Sequence, residues 1–548
     1  MSDPGPPDAV AGTATAVADL LDAAGPAHAG RPTVGSRGTT RPRGLDARPG
    51  LPVVLLVVVY GASRVTAAIA GVRYDDSVIK GTPQTDMWQL LDVRLLHDHL
   101  ATSVWHLNMQ PPLFNLYAGF LLKLPTGLRR PAEVVCSLAL GLVIVVFAYL
   151  LQVELRVPRV AAFVVTLVCV VASPAYLLYE NWLNYAYPTA ALTTFGAWSL
   201  ARFLRTRRAW SGIGFFGAYA AMVLLNSSYQ VEWLMVAAVP VVILLRTRWR
   251  MVLAVAAVPV LMVVGWYVKD YAQVGTTTTS SWLGMNLARS ILYKAPPDQI
   301  ATLQHQGRMD PLASVTAFAG PEVYSPKYVR AVPDPIPAIG APHKANGSTN
   351  FNNPLYVAVS SQYLHDDLVW IRAHPHEYAD DVLNSLGVWF VGTDQNFTDS
   401  VNWPSVRSYA RFYDQEIEWQ PVQDPAPGYV LFARGWHRPA WLSGQAMAVY
   451  ALALAGVPVL VWRRRRDDPA LAATLAVLWW TTAYAITTSA LLEIGENERF
   501  RSELGPLPTV LAAVVVSAVV RAAWSGWART RRRDTSSVGP FRTPDRTA

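Results

Sequence analysis

Eight carboxylates fall in or beside the polar connections between long apolar runs: Asp75, Asp76, Asp86, Asp92, Glu180, Glu232, Glu496 and Glu498. Cations at those places are fewer: Lys123, Lys269, Arg499 and Arg501. Ionisable groups at a membrane boundary are costly to keep, so they point to function by default. The mixture suits one chemistry in particular. A carboxylate can take a proton from an acceptor hydroxyl, and an arginine can hold a phosphate through paired, charge-assisted hydrogen bonds. The densest cluster is GENERFRSE (495–503), where five of nine residues are charged between two apolar runs.

The elements that must position these groups are apolar helices. Apolar residues make up 52% of the 548 and charged residues only 15%, with a mean hydropathy of +0.23. That composition excludes an ordinary soluble globule and fits an all-α polytopic membrane protein. Ten candidate transmembrane helices lie near 51–71, 133–151, 159–178, 183–204, 211–226, 231–246, 251–268, 439–462, 469–491 and 504–524. Arginine runs sit at alternate ends of them: RPRGLDAR (41–48), ELRVPR (154–159), RTRR (205–208), RTRWR (246–250), RRRR (463–466) and RTRRR (529–533). The positive-inside rule puts all of these in the cytoplasm, with both termini inside. The net charge of +8 is thereby explained by topology, and no nucleic-acid partner is expected.

This layout divides the chain. Residues 1–50 read as a disordered cytoplasmic N-terminus, 51–268 as a transmembrane module with a first external loop at 72–132, and 269–438 as an extracytoplasmic mixed domain inserted between helices seven and eight. Residues 439–525 hold the last helices and 526–548 a cytoplasmic tail. A helical stretch is expected at 356–386. Cys136 and Cys169 both lie in apolar runs, so neither an exported disulfide nor a cysteine metal motif is expected. His97 and His99 would point to different helix faces, which with His106 reads better as solvated surface than as metal ligands. The sequons at Asn226, Asn346 and Asn396 are acceptor patterns only.

The motifs themselves look familiar. The segment DMWQLLDVRLLHDHLATSVWHLNMQPPLFNLYAGFLLKLP (86–125) resembles the first external loop of the GT-C membrane glycosyltransferases. These include the protein O-mannosyltransferases and the aminoarabinose transferase of lipid A. Asp86 fits their aspartate after the first helix, and QPPLFNLY (110–117) their proline-containing interfacial helix, with Gln110 where many members carry His or Lys. LLYENWLNYAYP resembles the second external turn, where Glu180 is the carboxylate available. GWYVKDYAQVG resembles the exit from a middle helix, with Lys269 and Asp270 in place of Arg-Asn, and ENERFRSELGPL resembles a late Arg-Tyr-containing external motif.

The resemblance implies an inverting transfer of sugar from a polyprenyl-phosphate donor to a cell-envelope glycan, lipid or protein acceptor, at the outer face of the plasma membrane. Asp86 would be the general base, supported by Asp92 or Glu180, although Asp75 and Asp76 compete for the role. Arg499, Arg501 and Lys269 would steady the leaving phosphate, with Gln110 and Glu496 completing the substrate site. No metal ligand set is implied, and a divalent cation stays open as a cofactor. Plainer roles compete: Asp86 and Asp92 as helix caps, Glu180 as a headgroup-level residue, and the arginines as partners of neighbouring glutamates. A flippase of lipid-linked sugars would need charged or broken spans near the midplane. A non-catalytic envelope scaffold would not need carboxylates on four separate connections.

Overall fold

The structure, a computed structural model, describes residues 50–329, 336–392, 397, 400–420, 442–493 and 495–536. The expectations for residues 1–49, for the tail beyond 536 and for the sequon at Asn396 lie outside the described residues.

The chain opens with α1 (Leu51–Ile69), whose Pro52 sits in the first turn where no helical N–H is needed. The following loop carries α2 (Val93–Asp98) and α3 (Pro112–Lys123). Then come α4 (Thr126–Glu154), α5 (Arg159–Val171) and α6 (Pro174–Glu180). The last two are bent by 57° at a break before Pro174, which cannot continue the helical ladder. Helices α7 (Ala186–Thr206), α8 (Ala209–Leu225), α9 (Val231–Leu244) and α10 (Trp249–Val274) follow, and Gly275 closes α10 in the left-handed conformation at φ 77°.

A long excursion holds α11 (Leu283–Ser290), α12 (Pro354–Ala373), α13 (Pro375–Trp389) and α14 (Trp403–Glu416). The expected helical stretch at 356–386 is thus two helices, divided at His374 because a residue before proline is disfavoured in the α region. The chain ends with α15 (Gly444–Arg464), α16 (Pro469–Leu492), α17 (Asn497–Glu503) and α18 (Leu507–Ser536).

Each of the ten apolar runs is helical. By length and composition six helices among the described residues can cross a membrane (α1, α10, α15, α16, α18 and α4), or seven if the bent α5–α6 pair is one span. That marks a membrane protein. Helices α8 and α9 are apolar but shorter, and α7 is long but carries Thr189, Thr193, Thr194 and Ser199. Among the described residues there is no strand, only isolated bridges at Asp75–Trp182 and His343–Thr349. The described part of 269–438 is therefore helices and turns rather than the mixed structure expected.

Two large cores are formed. One lies among the apolar helices, around Tyr60, Tyr149, Phe203, Phe215, Tyr219 and Trp233. The other joins the α1–α4 loop to the long excursion: Leu90, Leu107 and Met109 share it with Trp282, Tyr356 and Trp370. Fully buried Asn352 stitches the two segments. Its Oδ1 accepts from the Asn108 and Met109 amides at 2.8 and 3.2 Å, and its Nδ2 donates to the His106 carbonyl at 3.0 Å. The loop 72–132 thus folds with the excursion as one body. Close approach helps: a methyl group on Gly284 of α11 would overlap the Ser360 carbonyl of α12.

Candidate functional site

A cavity of about 740 Å³ opens where the polar connections meet. Its lining draws on the α1–α4 loop (Asp86, Trp88, Gln110), the α6–α7 turn (Asn184, Tyr185) and the α8–α9 turn (Ser227, Ser228). It also draws on the excursion (Trp282, Arg289, Lys294, Phe318) and on the α16–α17 region (Glu493, Glu496, Arg499). Size and composition match a small-molecule site, apolar overall with a few convergent polar groups.

Asp86 follows a 3-10 turn made by Pro83–Thr85, which aims it back at the excursion. Both its oxygens meet Lys344 Nζ, at 3.0 and 2.8 Å, and Oδ1 also accepts from Asn346 Nδ2 at 3.2 Å. Lys344 is buried, and its third donor goes to the Met87 carbonyl at 3.2 Å. Burial pulls the Lys344 ammonium below its ordinary pKa, and Asp86 works against that shift. Beside Asp86 stands an aromatic wall. Trp88 stacks on Phe318 with centroids 5.3 Å apart, and Trp282 meets Phe318 edge-on at 5.1 Å.

Within the cluster 495–503, Asn497–Glu503 forms the helix α17, about two turns long. Arg499 donates to Glu496 from Nε at 3.0 Å and to Tyr185 Oη at 2.6 Å, and lies 3.3 Å from Glu503. Burial opposes its charge, but Tyr185, Glu496 and Glu503 more than offset that and hold its pKa well above the ordinary value. Burial pushes Glu496 up, and Arg499 and Arg289 outweigh it, so the carboxyl stays below the usual range. Glu503 is pushed up to about 7 by burial against the pull of Arg499. Glu498 is fully buried, neither of its oxygens has a hydrogen-bond partner among the described residues, and burial pushes it up to about 8. Arg289 of α11 pairs with Glu493 and supplies a second guanidinium to the cavity.

Asp86, Gln110, Glu496 and Arg499 therefore come together. Asp92, Glu180, Lys269 and Arg501 do not line this cavity. Asp92 caps α2, accepting from the Arg94 amide at 2.8 Å and from the Ala345 amide. Glu180 is buried in the helical core. It accepts from Tyr60 at 2.9 Å, from Arg64 at 2.9 and 2.7 Å and from Tyr187 at 2.9 Å. Lys269 lies over the Trp266 ring, pairs with Asp270 at 2.6 Å and donates to the Leu107 carbonyl at 2.5 Å. It fastens the end of α10 to the α1–α4 loop. Asp75 caps the Ser77 amide at 3.0 Å, and Asp76 pairs with Lys80 at 3.3 Å.

Arg501 turns away because residues two apart on a helix point about 200° from each other. It donates to the Trp389 carbonyl at 3.0 Å and faces a different cavity. Sequence reasoning missed Lys344, Arg289, Lys294 and Glu493. Lys344 stands in a Pro- and Gly-rich loop with no periodicity, and Arg289 only shows its role once α11 packs on α12.

Asn346 is occupied by Asp86, and buried Asn226 donates to Glu503 at 2.6 Å, so neither sequon presents a free amide. Among the described residues no three His, Cys, Asp or Glu side chains are grouped to hold a metal ion. No family model matches the chain, and no curated protein matches it.

Proposed function

We propose that the chain is a membrane glycosyltransferase of GT-C type, moving a sugar from a polyprenyl-phosphate donor to an extracytoplasmic hydroxyl acceptor. One observation carries this reading: Asp86, Gln110, Glu496 and Arg499, distant in sequence, line one cavity. Asp86 takes the acceptor proton while the acceptor oxygen bonds to the anomeric carbon. The bond from that carbon to the phosphate oxygen breaks, and the charge on the leaving polyprenyl phosphate is met by Arg499 and Arg289. Glu496 and Glu493 hold the two guanidiniums in place when no phosphate is bound. The stacked Trp88 and Phe318 offer an apolar face for a sugar ring or the first isoprene unit. Asp92, Glu180 and Lys269 act as structural groups in this scheme.

The reading includes ten spans, with α7, α8 and α9 also crossing and the cavity on the extracytoplasmic side. Labelling of single introduced cysteines would then place residue 350 outside and residues 206 and 464 inside. Membranes containing the full chain, offered a panel of radiolabelled polyprenyl-phosphate sugars, should transfer one of them to an acceptor. Transfer from none of the donors, with residue 350 found in the cytoplasm, overturns the reading.

A further inference from the structure

A second cavity, of about 90 Å³, lies beside the break between α5 and α6, and its lining shares no residue with that of the first. It is far larger than the roughly 10–15 Å³ needed for one water. Arg501 faces it, together with Glu418, Tyr176, Tyr413 and Tyr450.

The charge balance here differs from that at Arg499. Arg501 is 8% exposed, and a guanidinium has five donors to place. Among the described residues it makes one hydrogen bond, to the Trp389 carbonyl at 3.0 Å. Its nearest carboxylate, Glu418, stands 3.9 Å away, too far for a hydrogen bond. A buried cation so loosely compensated is unfavourable unless another anion completes its shell. Tyr450, 3% exposed, lines the same space beside the Trp389 indole, whose N–H can only donate, and its O–H has no acceptor among the described residues. A buried O–H without an acceptor is likewise unfavourable. Both groups are relieved by one kind of occupant, a compact oxyanion that accepts from the guanidinium and the phenol together.

We infer that this cavity is a binding site for a tetrahedral phosphate group, separate from the transfer cavity and independent of the reading given to it. Arg501 supplies the charge and the directed donors, and Tyr450 a third contact. Glu418 limits affinity by its own negative charge. The phosphate can belong to a lipid headgroup, reached from the apolar flank of α6 and α15, or to a free ion.

The test uses the purified full-length protein in detergent and three probes: inorganic phosphate, a short-chain phosphatidic acid, and the matching diacylglycerol without phosphate. Binding is read by ligand-dependent thermal stabilisation. Stabilisation by inorganic phosphate assigns the site to a free ion. Stabilisation by phosphatidic acid alone assigns it to a headgroup. The diacylglycerol does neither. Arg501→Gln should weaken the bound phosphate roughly ten- to a hundred-fold. Tyr450→Phe, which removes a hydroxyl whose proton has no acceptor, should weaken it a few-fold without harming the fold. Glu418→Gln should tighten it. If Arg501→Gln does not fold, the opposite signs of the other two variants still decide. The inference is overturned if neither phosphate probe stabilises the wild-type protein, or if both remaining variants bind as the wild type does.

Discussion

The Lys344 ammonium lies 2.8 and 3.0 Å from the two carboxylate oxygens of Asp86, across 258 positions of sequence. Asp86 stands in the cavity wall, and the pair ties the α1–α4 loop to the excursion. Its two members have different expected roles. Asp86→Asn keeps the shape and hydrogen-bonding size of the side chain but leaves the buried Lys344 ammonium without its counter-charge, so some stability should be lost as well and transfer is read per folded molecule. Transfer should fall on the order of 10²–10⁴-fold, as when a general base is removed. Lys344→Met should instead unsettle the fold, because one partner of a largely buried pair is left alone, at about 3–5 kcal/mol. The double variant should be more stable than Lys344→Met by itself, since neither charge then remains. Denaturant unfolding in detergent, alongside the transfer assay, checks both statements. Full activity in Asp86→Asn removes Asp86 as the base.

Glu180 calls for the opposite expectation. Four hydrogen bonds from Tyr60, Arg64 and Tyr187 occupy its carboxylate, which joins α1 to α6 and α7. Glu180→Gln leaves Arg64 without its counter-charge inside the helical core, where breaking a buried pair costs about 3–5 kcal/mol. The yield of folded protein and its thermal midpoint should drop. Transfer per folded molecule should stay close to that of the wild type. A large loss of turnover with an unchanged midpoint would return Glu180 to the chemistry.

Glu498 gives the protein a specific response to pH. Its ordinary value is 4.5, and burial raises it to about 8 in the folded state. Between those values the native carboxyl keeps a proton that the unfolded chain has lost. Stability from this group is therefore complete below pH 4.5 and declines as pH climbs to 8, by an amount on the order of a few kcal/mol. Glu498→Gln holds a neutral group of the same shape and removes that decline. Subtracting the variant's stability curve from the wild type's should give a difference falling through this window, with the variant the more stable at pH 8. A flat difference would mean that the carboxyl is not buried uncharged.

The helices were readable because each apolar run is long enough to leave a signal independent of its neighbours. The site was readable only in part, and particular residues explain why. Asp86 and Gln110 stand next to proline turns, whose geometry is local. Glu180 looks chemical only while its partner Arg64 is left out of account; an arginine within the apolar α1 is itself a sign that a carboxylate must come to meet it. Arg499 and Arg501 look like a pair in the sequence, which holds for a turn but not for the helix α17, whose period sends them to different cavities. Lys344 left no signal, since contacts across so long a separation are fixed by how two segments share a core, not by any motif.

Arg499 carries the last prediction, because it is at once a cavity wall and the centre of a buried network. Replacing it with Lys keeps the charge and loses the planar fork that can serve Glu496, Tyr185 and a phosphate together. If the arginine meets the donor phosphate, Arg499→Lys should weaken donor binding almost as much as Arg499→Ala. Each lost charge-assisted bond is worth about 1.5–3 kcal/mol, roughly ten- to a hundred-fold in affinity. Acceptor binding should be little changed, and high salt should not erase the difference, since a desolvated contact is weakly screened. Arg289→Lys should act in the same direction, because its guanidinium faces the same cavity. A purely structural Arg499 predicts another pattern: both variants lower the thermal midpoint, and the protein that remains folded binds donor normally. Midpoint and donor affinity measured on the same purified samples separate the two, and normal donor affinity in Arg499→Ala would end the case for a phosphate contact there.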